Sequence, residues 1–165
     1  PLYEQLIKLV PAVHELIRLG QNLNRARDAF DPARGKRGSV PLGQSFERYQ
    51  AYTLDPGITN AKTAIFDYLE AKSYDDVVIV LSILYIGRDE KDPGEFEQRR
   101  AEFEEEGYFF DEPEEGIYDS PQKKVFDYLR HIKSSEMPKE AVIGSFIEKA
   151  PAPEYLERGL RILGF

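Results

Sequence analysis

One stretch, DDVVIVLSILYIGRDE, constrains the fold more than any other part of the chain. Every residue from Val77 to Ile86 except Ser82 is apolar or aromatic. A segment hydrophobic on all sides has no face to give to water, so other elements must enclose it. Periodicity does not separate a buried strand from a buried helix, and the β-branched Val77, Val78, Ile79, Val80, Ile83 and Ile86 lean towards a strand. The flanks argue for a helix. Asp75 and Asp76 supply a capping oxygen and negative charge for an N-terminus, Gly87 suits the left-handed turn after a last helical residue, and Arg88 follows where the dipole favours a cation. A strand also needs partners, and only fragments such as 51–54 and 108–110 resemble them. The segment is expected as a helix of about three turns. Burying its nine large side chains, at about 1.5 to 3 kcal/mol each before entropy, outweighs the few tenths per residue lost to helix propensity.

A chain of 165 residues suffices for one domain with a substantial core. With 41% hydrophobic and 32% charged residues it falls in the soluble globular class. Its longest apolar run is about half what a bilayer crossing needs, so no membrane span is expected. The absence of cysteine excludes disulfides and thiolate chemistry and suits a cytoplasmic location. Because the chain opens on Pro1, a processed N-terminus is expected, and a targeting segment before it would be invisible.

The formal charge of −8 argues against generic binding to a phosphate backbone. Its distribution says more. Residues 88–119 hold fourteen acidic and four basic side chains, a net of −10, so the remainder sums to +2. Such a run reads as a solvated helix and loop, or as an acidic docking surface for a basic partner.

At the N-terminus, Leu2, Leu6, Leu9, Val13, Leu16, Leu23 and Phe30 step by fours and threes, with Gly20 and Arg27 at the positions that complete the series. This helical stripe predicts packing onto the chain's own core, with a homodimeric coiled coil as the alternative. Pro11 predicts a kink, or a second helix starting there. Arg25, Arg27, Arg34, Lys36 and Arg37 then gather in a Pro/Gly-rich loop that could clamp an anion or a nucleic acid. Nucleic acid is the less favoured reading, and Gly35 and Lys36 lack the upstream glycine spacing of a phosphate-binding loop.

Further along, Phe46, Tyr49, Tyr52 and Leu54 are expected on one side of a short helix stopped by Asp55, Pro56 and Gly57. Thr59 or Asn60 would cap the next, which forms an αα-hairpin with the central segment. A surface helix ending at Gly107, one starting at Pro121 with Val125, Phe126, Leu129 and Ile132 inward, one from Pro138, and a last from Pro153 complete the chain. Gly159 weakens that last helix, which implies that a neighbouring backbone comes close. The run Ile65-Phe66-Asp67-Tyr68-Leu69 is matched by Val125-Phe126-Asp127-Tyr128-Leu129, though two copies of five residues do not establish a repeat.

Chemistry is harder to find. His14 and His131 lack a second ligand at metal spacing, no serine sits in a nucleophile elbow, and no glycine-rich dinucleotide fingerprint follows a strand. No metal and no cofactor are expected. The best candidate is the exit of the central helix, Tyr85, Gly87, Arg88, Asp89 and Glu90, where an arginine beside two carboxylates could grip an anionic group or a partner's side chain. The plainer reading is a helix end closed by its own charges.

The exit motif YIGRDE, with Ile147, Lys149, Pro151 and the terminal EYLERGLRILG, resembles a bacterial domain-of-unknown-function family, number thirty-seven seventy-five. The similarity covers roughly residues 65–165. It implies a small helical domain, carries no activity, and marks the exit motif. The fold expected is all-α, a single domain of six to eight helices around a buried central one. The functional expectation is a non-enzymatic protein-binding or adaptor module using the acidic surface 88–119 or the exit motif. A small enzyme or anionic-ligand-binding protein with a pocket lined by Tyr85, Arg88, Asp89 and Tyr155 is the alternative.

Overall fold

The computed structural model describes residues 2–31, 42–90, 101–102, 104–107 and 121–165. They form α1 (Leu2–Phe30), α2 (Leu42–Leu54), α3 (Pro56–Glu70), α4 (Tyr74–Asp89), α5 (Pro121–Ser134), α6 (Lys139–Ile147) and α7 (Ala152–Ile162). Residues 101, 102, 104 and 105 are also helical, Gly107 closes that turn at φ 85°, and no strand occurs among the described residues.

The apolar decapeptide is α4, and it is the core. Val77 to Leu84, with Ile86 and Gly87, are buried. Ser82, the polar residue within it, donates its hydroxyl to the Val78 carbonyl at 2.9 Å, so its burial leaves no orphaned donor. Around this rod, α7 and α5 make the most extensive contacts, with α6 and α1 completing the enclosure.

The helix boundaries differ from expectation in instructive ways. Ser73, not Asp75 or Asp76, caps α4: its hydroxyl accepts the Asp76 amide at 3.1 Å, and the aspartates occupy the first turn, where the dipole still favours them. Gly87 does not end the helix in a left-handed turn. It lies inside α4, which runs on to an extended cap at Glu90. Asp55 and Pro56, expected as a stop, start α3: the Asp55 carboxylate accepts the Ile58 amide at 2.9 Å, and Pro56 suits the first turn, whose amides lack partners. The expected hairpin of α3 and α4 does not form along their lengths; α3 lies on α1 and α6 instead.

α1 is a single helix through Pro11, so no second helix begins there. Pro11 and Ile7 lie on the exposed side, where water can satisfy the carbonyl that the ring deprives of its donor. The stripe from Leu6 to Leu23 is buried against α3, α7 and α4 of the same chain. Its two irregular positions both have tertiary reasons. A Cβ on Gly20 would stand 2.8 Å from the Pro153 ring at the start of α7. Arg27, 6% exposed, donates from Nε to the Tyr52 hydroxyl and from an Nη to the Ile147 carbonyl, both at 2.7 Å. That carbonyl belongs to the negative end of α6, which compensates the buried guanidinium.

Two expected apolar faces are only partly used. On α2, Phe46, Tyr49 and Leu54 are 63%, 65% and 79% exposed, and of the four residues expected on that face Tyr52 alone reaches inward. On α5, Val125 and Ile132 are buried and Leu129 half-buried, while Phe126 turns outward.

Candidate functional site at the exit of the central helix

The end of α4 meets α7 without side chains between them. A Cβ on Gly87 would lie 1.7 Å from the Tyr155 carbonyl oxygen, and one on Gly159 would lie 2.2 Å from the Ile83 carbonyl oxygen. Two glycines, one on each helix, therefore set this crossing, and Gly159 does mark the close backbone approach that its cost implied. Arg158, beside Gly159, donates to the Gly87 carbonyl at 2.7 Å. It thereby satisfies one of the four carbonyls that a helix C-terminus leaves open.

Past Gly87 the side chains fan into a connected polar cluster. Arg88 donates from Nε and from an Nη to the two carboxylate oxygens of Asp89, at 2.6 and 2.8 Å. Its guanidinium carbon stands 4.4 Å from the Tyr85 ring centroid, a cation–π distance. Tyr85 in turn packs against Tyr128 of α5, with ring centroids 5.8 Å apart. The Tyr128 hydroxyl donates to Asp89 at 3.1 Å and reaches Glu90 at 3.5 Å, and Lys124, one turn earlier on α5, pairs with Glu90. Lys149, in the link from α6 to α7, places Nζ 5.7 Å from the Tyr85 ring centroid and donates to the Ser145 carbonyl at 3.2 Å.

The protonation states follow from these contacts. Hydrogen bonds from Arg88, helped by Tyr128, hold the Asp89 carboxyl below the usual carboxylate range despite partial burial. Burial, reinforced by the negative charges of Asp89 and Glu90, pushes the Tyr128 hydroxyl well above its usual value. It stays a donor across the neutral range and is a poor general base. Burial, and then the positive charge of Arg88, push the Lys149 amine down.

Of the residues expected at this site, Tyr85, Arg88, Asp89 and Glu90 come together around the helix end. Gly87 contributes backbone contact and its carbonyl. Tyr155 is half-buried, and its backbone carbonyl lies against Gly87. Sequence reasoning missed Lys124, Tyr128, Lys149 and Arg158. Tyr128 sits in the recurring FDYL run and Lys149 and Arg158 in the terminal motifs, but nothing in their spacing says that three elements converge on α4.

The basic loop is not assembled as a unit among the described residues. Arg25 is exposed and donates to Asn22 at 2.7 Å, Arg27 is buried as described above, and Arg34, Lys36 and Arg37 lie outside the described residues. Of the acidic stretch beyond Glu90, Glu102, Glu104, Glu105 and Glu106 are described, and all are exposed; most of 91–120 lies outside. No group of three or more potential metal ligands occurs among the described residues, and no helix there is long and apolar enough to cross a membrane. Comparison of the chain with family models, with curated proteins and with solved structures finds no match.

Proposed function

We propose that this chain is a non-enzymatic protein-binding module whose docking surface is the exit of α4 together with the acidic stretch that follows it. The observation that carries the reading is the neutralisation of Arg88 by both oxygens of Asp89 on top of Tyr85. A guanidinium held this way is not presented as a receptor for a small anion. It is instead part of a preorganised tyrosine and arginine patch, the residue types that dominate binding energy at protein interfaces. With Tyr128 kept protonated and Glu90 paired to Lys124, the cluster offers little to acid–base chemistry. The net charge of −10 over residues 88–119 supports a partner segment rich in lysine or arginine. Arg25 and Arg27, engaged with Asn22 and Tyr52, give little support to nucleic-acid binding.

The test is quantitative affinity capture with native protein, Arg88→Ala, and a variant in which Glu102, Glu104, Glu105 and Glu106 are changed to lysine. A defined set of partners is expected to weaken with each variant and with rising salt. Partner lists indifferent to both variants would refute the docking surface.

A further inference from the structure

Arg27 is the one ionisable side chain buried among the described residues, and its bonds join two separate parts of the bundle. Its guanidinium donates from Nε to the Tyr52 hydroxyl of α2 and from one Nη to the Ile147 carbonyl at the end of α6, both at 2.7 Å. The other Nη reaches the Asn24 amide oxygen at 3.4 Å. These three partners are neutral, so the buried charge leans on each of them. One turn earlier on α1, Asn24 donates its amide nitrogen to the Ala150 carbonyl at 2.8 Å. α1 thus holds the link from α6 to α7 by two carbonyls, those of Ile147 and Ala150. Between those points lies Lys149, with Nζ 5.7 Å from the centroid of the Tyr85 ring that Arg88 covers. A continuous set of contacts therefore runs from Tyr52 through Arg27 to the exit of α4. Its outer end is a helix with little of its apolar face covered: Phe46, Tyr49 and Leu54 are exposed, while Tyr52 meets Phe30 and lies under Lys62.

We propose that α2 is a regulatory strap for the exit site, with Arg27 as the positioning residue between them. Docked, α2 gives the Arg27 Nε its acceptor, and the guanidinium plane is fixed. Lifted, α2 takes that acceptor away and admits water. The planar fork turns towards the water, and because Nε and the Nη groups move as one rigid unit, the bond to Ile147 is lost with the turn. Of the two ties from Asn24 and Arg27 to the link, only that of Asn24 remains, and Lys149 no longer has a fixed place against Tyr85. The two states of α2 then differ in contacts at the exit site, which is what couples two sites in free energy. The strap rests on the docking reading only for its consequence, a partner surface preorganised with α2 down and loosened with α2 up. The coupling itself is measured without a partner, so either can fail while the other stands.

Amide exchange by NMR on the full chain reads both ends. The link offers Glu148, Lys149 and Ala152, whose amides bond to the carbonyls of Gly144, Phe146 and Lys149. Ser135 and Glu136, at the end of α5, are helix-end amides outside this set of contacts and serve as the reference. In Tyr52→Phe, exchange of the three link amides is expected to quicken about threefold relative to that reference, with shifted resonances at Tyr85 and Lys149. Arg27→Met replaces the relay with an apolar side chain, and adding Tyr52→Phe to it is expected to change the link no further. That non-additivity marks coupling through Arg27. Link exchange that keeps its native ratio in Tyr52→Phe, or an equal acceleration with and without Arg27, would overturn the strap. The first outcome needs no Arg27 variant, so the proposal is decided even if Arg27→Met does not fold.

Discussion

Two glycines fix how closely α4 and α7 can lie, and the obstruction to a side chain at either is backbone. No rotamer change relieves a Cβ placed 1.7 Å from the Tyr155 carbonyl or 2.2 Å from that of Ile83. Gly87→Ala and Gly159→Ala each force apart the most extensive helix contact in the bundle and are expected to cost about 3 kcal/mol, towards the upper end for overpacked cores. Gly144, inside α6, is the counter-case. A Cβ there meets nothing within 4 Å, so Gly144→Ala is expected to stabilise by about 0.5 to 1 kcal/mol through helix propensity and lost unfolded-state freedom. Urea unfolding midpoints read all three, and a Gly87→Ala midpoint matching the native one would mean that the helices do not approach so closely. Gly159 was legible in sequence because a glycine inside a strongly amphipathic helix is costly without a tertiary reason. Gly87 was not, because glycine followed by arginine and two acids is also a helix-stop pattern, and only the position of α7 tells the two apart.

At the scale of elements, composition carried the assignment of α4 and local chemistry misplaced its edges. A decapeptide with no polar face could be stabilised only by enclosure, so its helical state rested on the flanks. The aspartates looked like caps because their oxygens and charge suit that end. Ser73 holds the position because its backbone is extended and its hydroxyl reaches the third amide of the turn. Ser73→Ala is therefore expected to cost about 1 kcal/mol in urea or thermal unfolding, the usual loss of a cap. Asp75→Ala, which removes a first-turn charge and an exposed pair with Lys133, is expected to cost only a few tenths of a kcal/mol. Equal losses from the two would return the capping role to the aspartate. Of the two outcomes expected at Pro11, the second helix does not occur for a related reason: a proline breaks a helix whose freed carbonyl is buried, whereas Pro11 and Ile7 lie on the exposed side. The exit cluster was half legible, since Tyr85 to Glu90 are contiguous and rich in charge. Its other half comes from α5, from the α6–α7 link and from α7, and sequence spacing holds no record of that convergence.

Across the whole molecule, stability is graded from α4 outwards, and α2 lies at the weak end. α4 buries its full circumference, so its amides can exchange with solvent only when the bundle opens. α2 leaves Phe46, Tyr49 and Leu54 largely exposed, packs chiefly on α3, and is fastened through Tyr52, which meets Phe30 edge to face at 5.7 Å and accepts a hydrogen bond from buried Arg27. Few buried apolar contacts among its described residues, the Tyr52 tie and an exposed Arg48–Asp31 pair at 3.9 Å make a helix that opens locally at a small fraction of the global free energy. Amide exchange is expected to deuterate residues 46–54 well before 77–86, with the α4 amides tracking global unfolding. Tyr52→Phe keeps the ring contact and removes the hydroxyl that Arg27 needs, leaving a buried Nε–H without its acceptor. The variant is expected to speed exchange across 46–54 several-fold while α4 slows or quickens only with global stability. Because Arg27 also holds the Ile147 carbonyl, a smaller acceleration is expected at the end of α6. Protection of 46–54 equal to that of α4 would show that the weakly packed helix is bound into the core by contacts other than Tyr52 and Arg27.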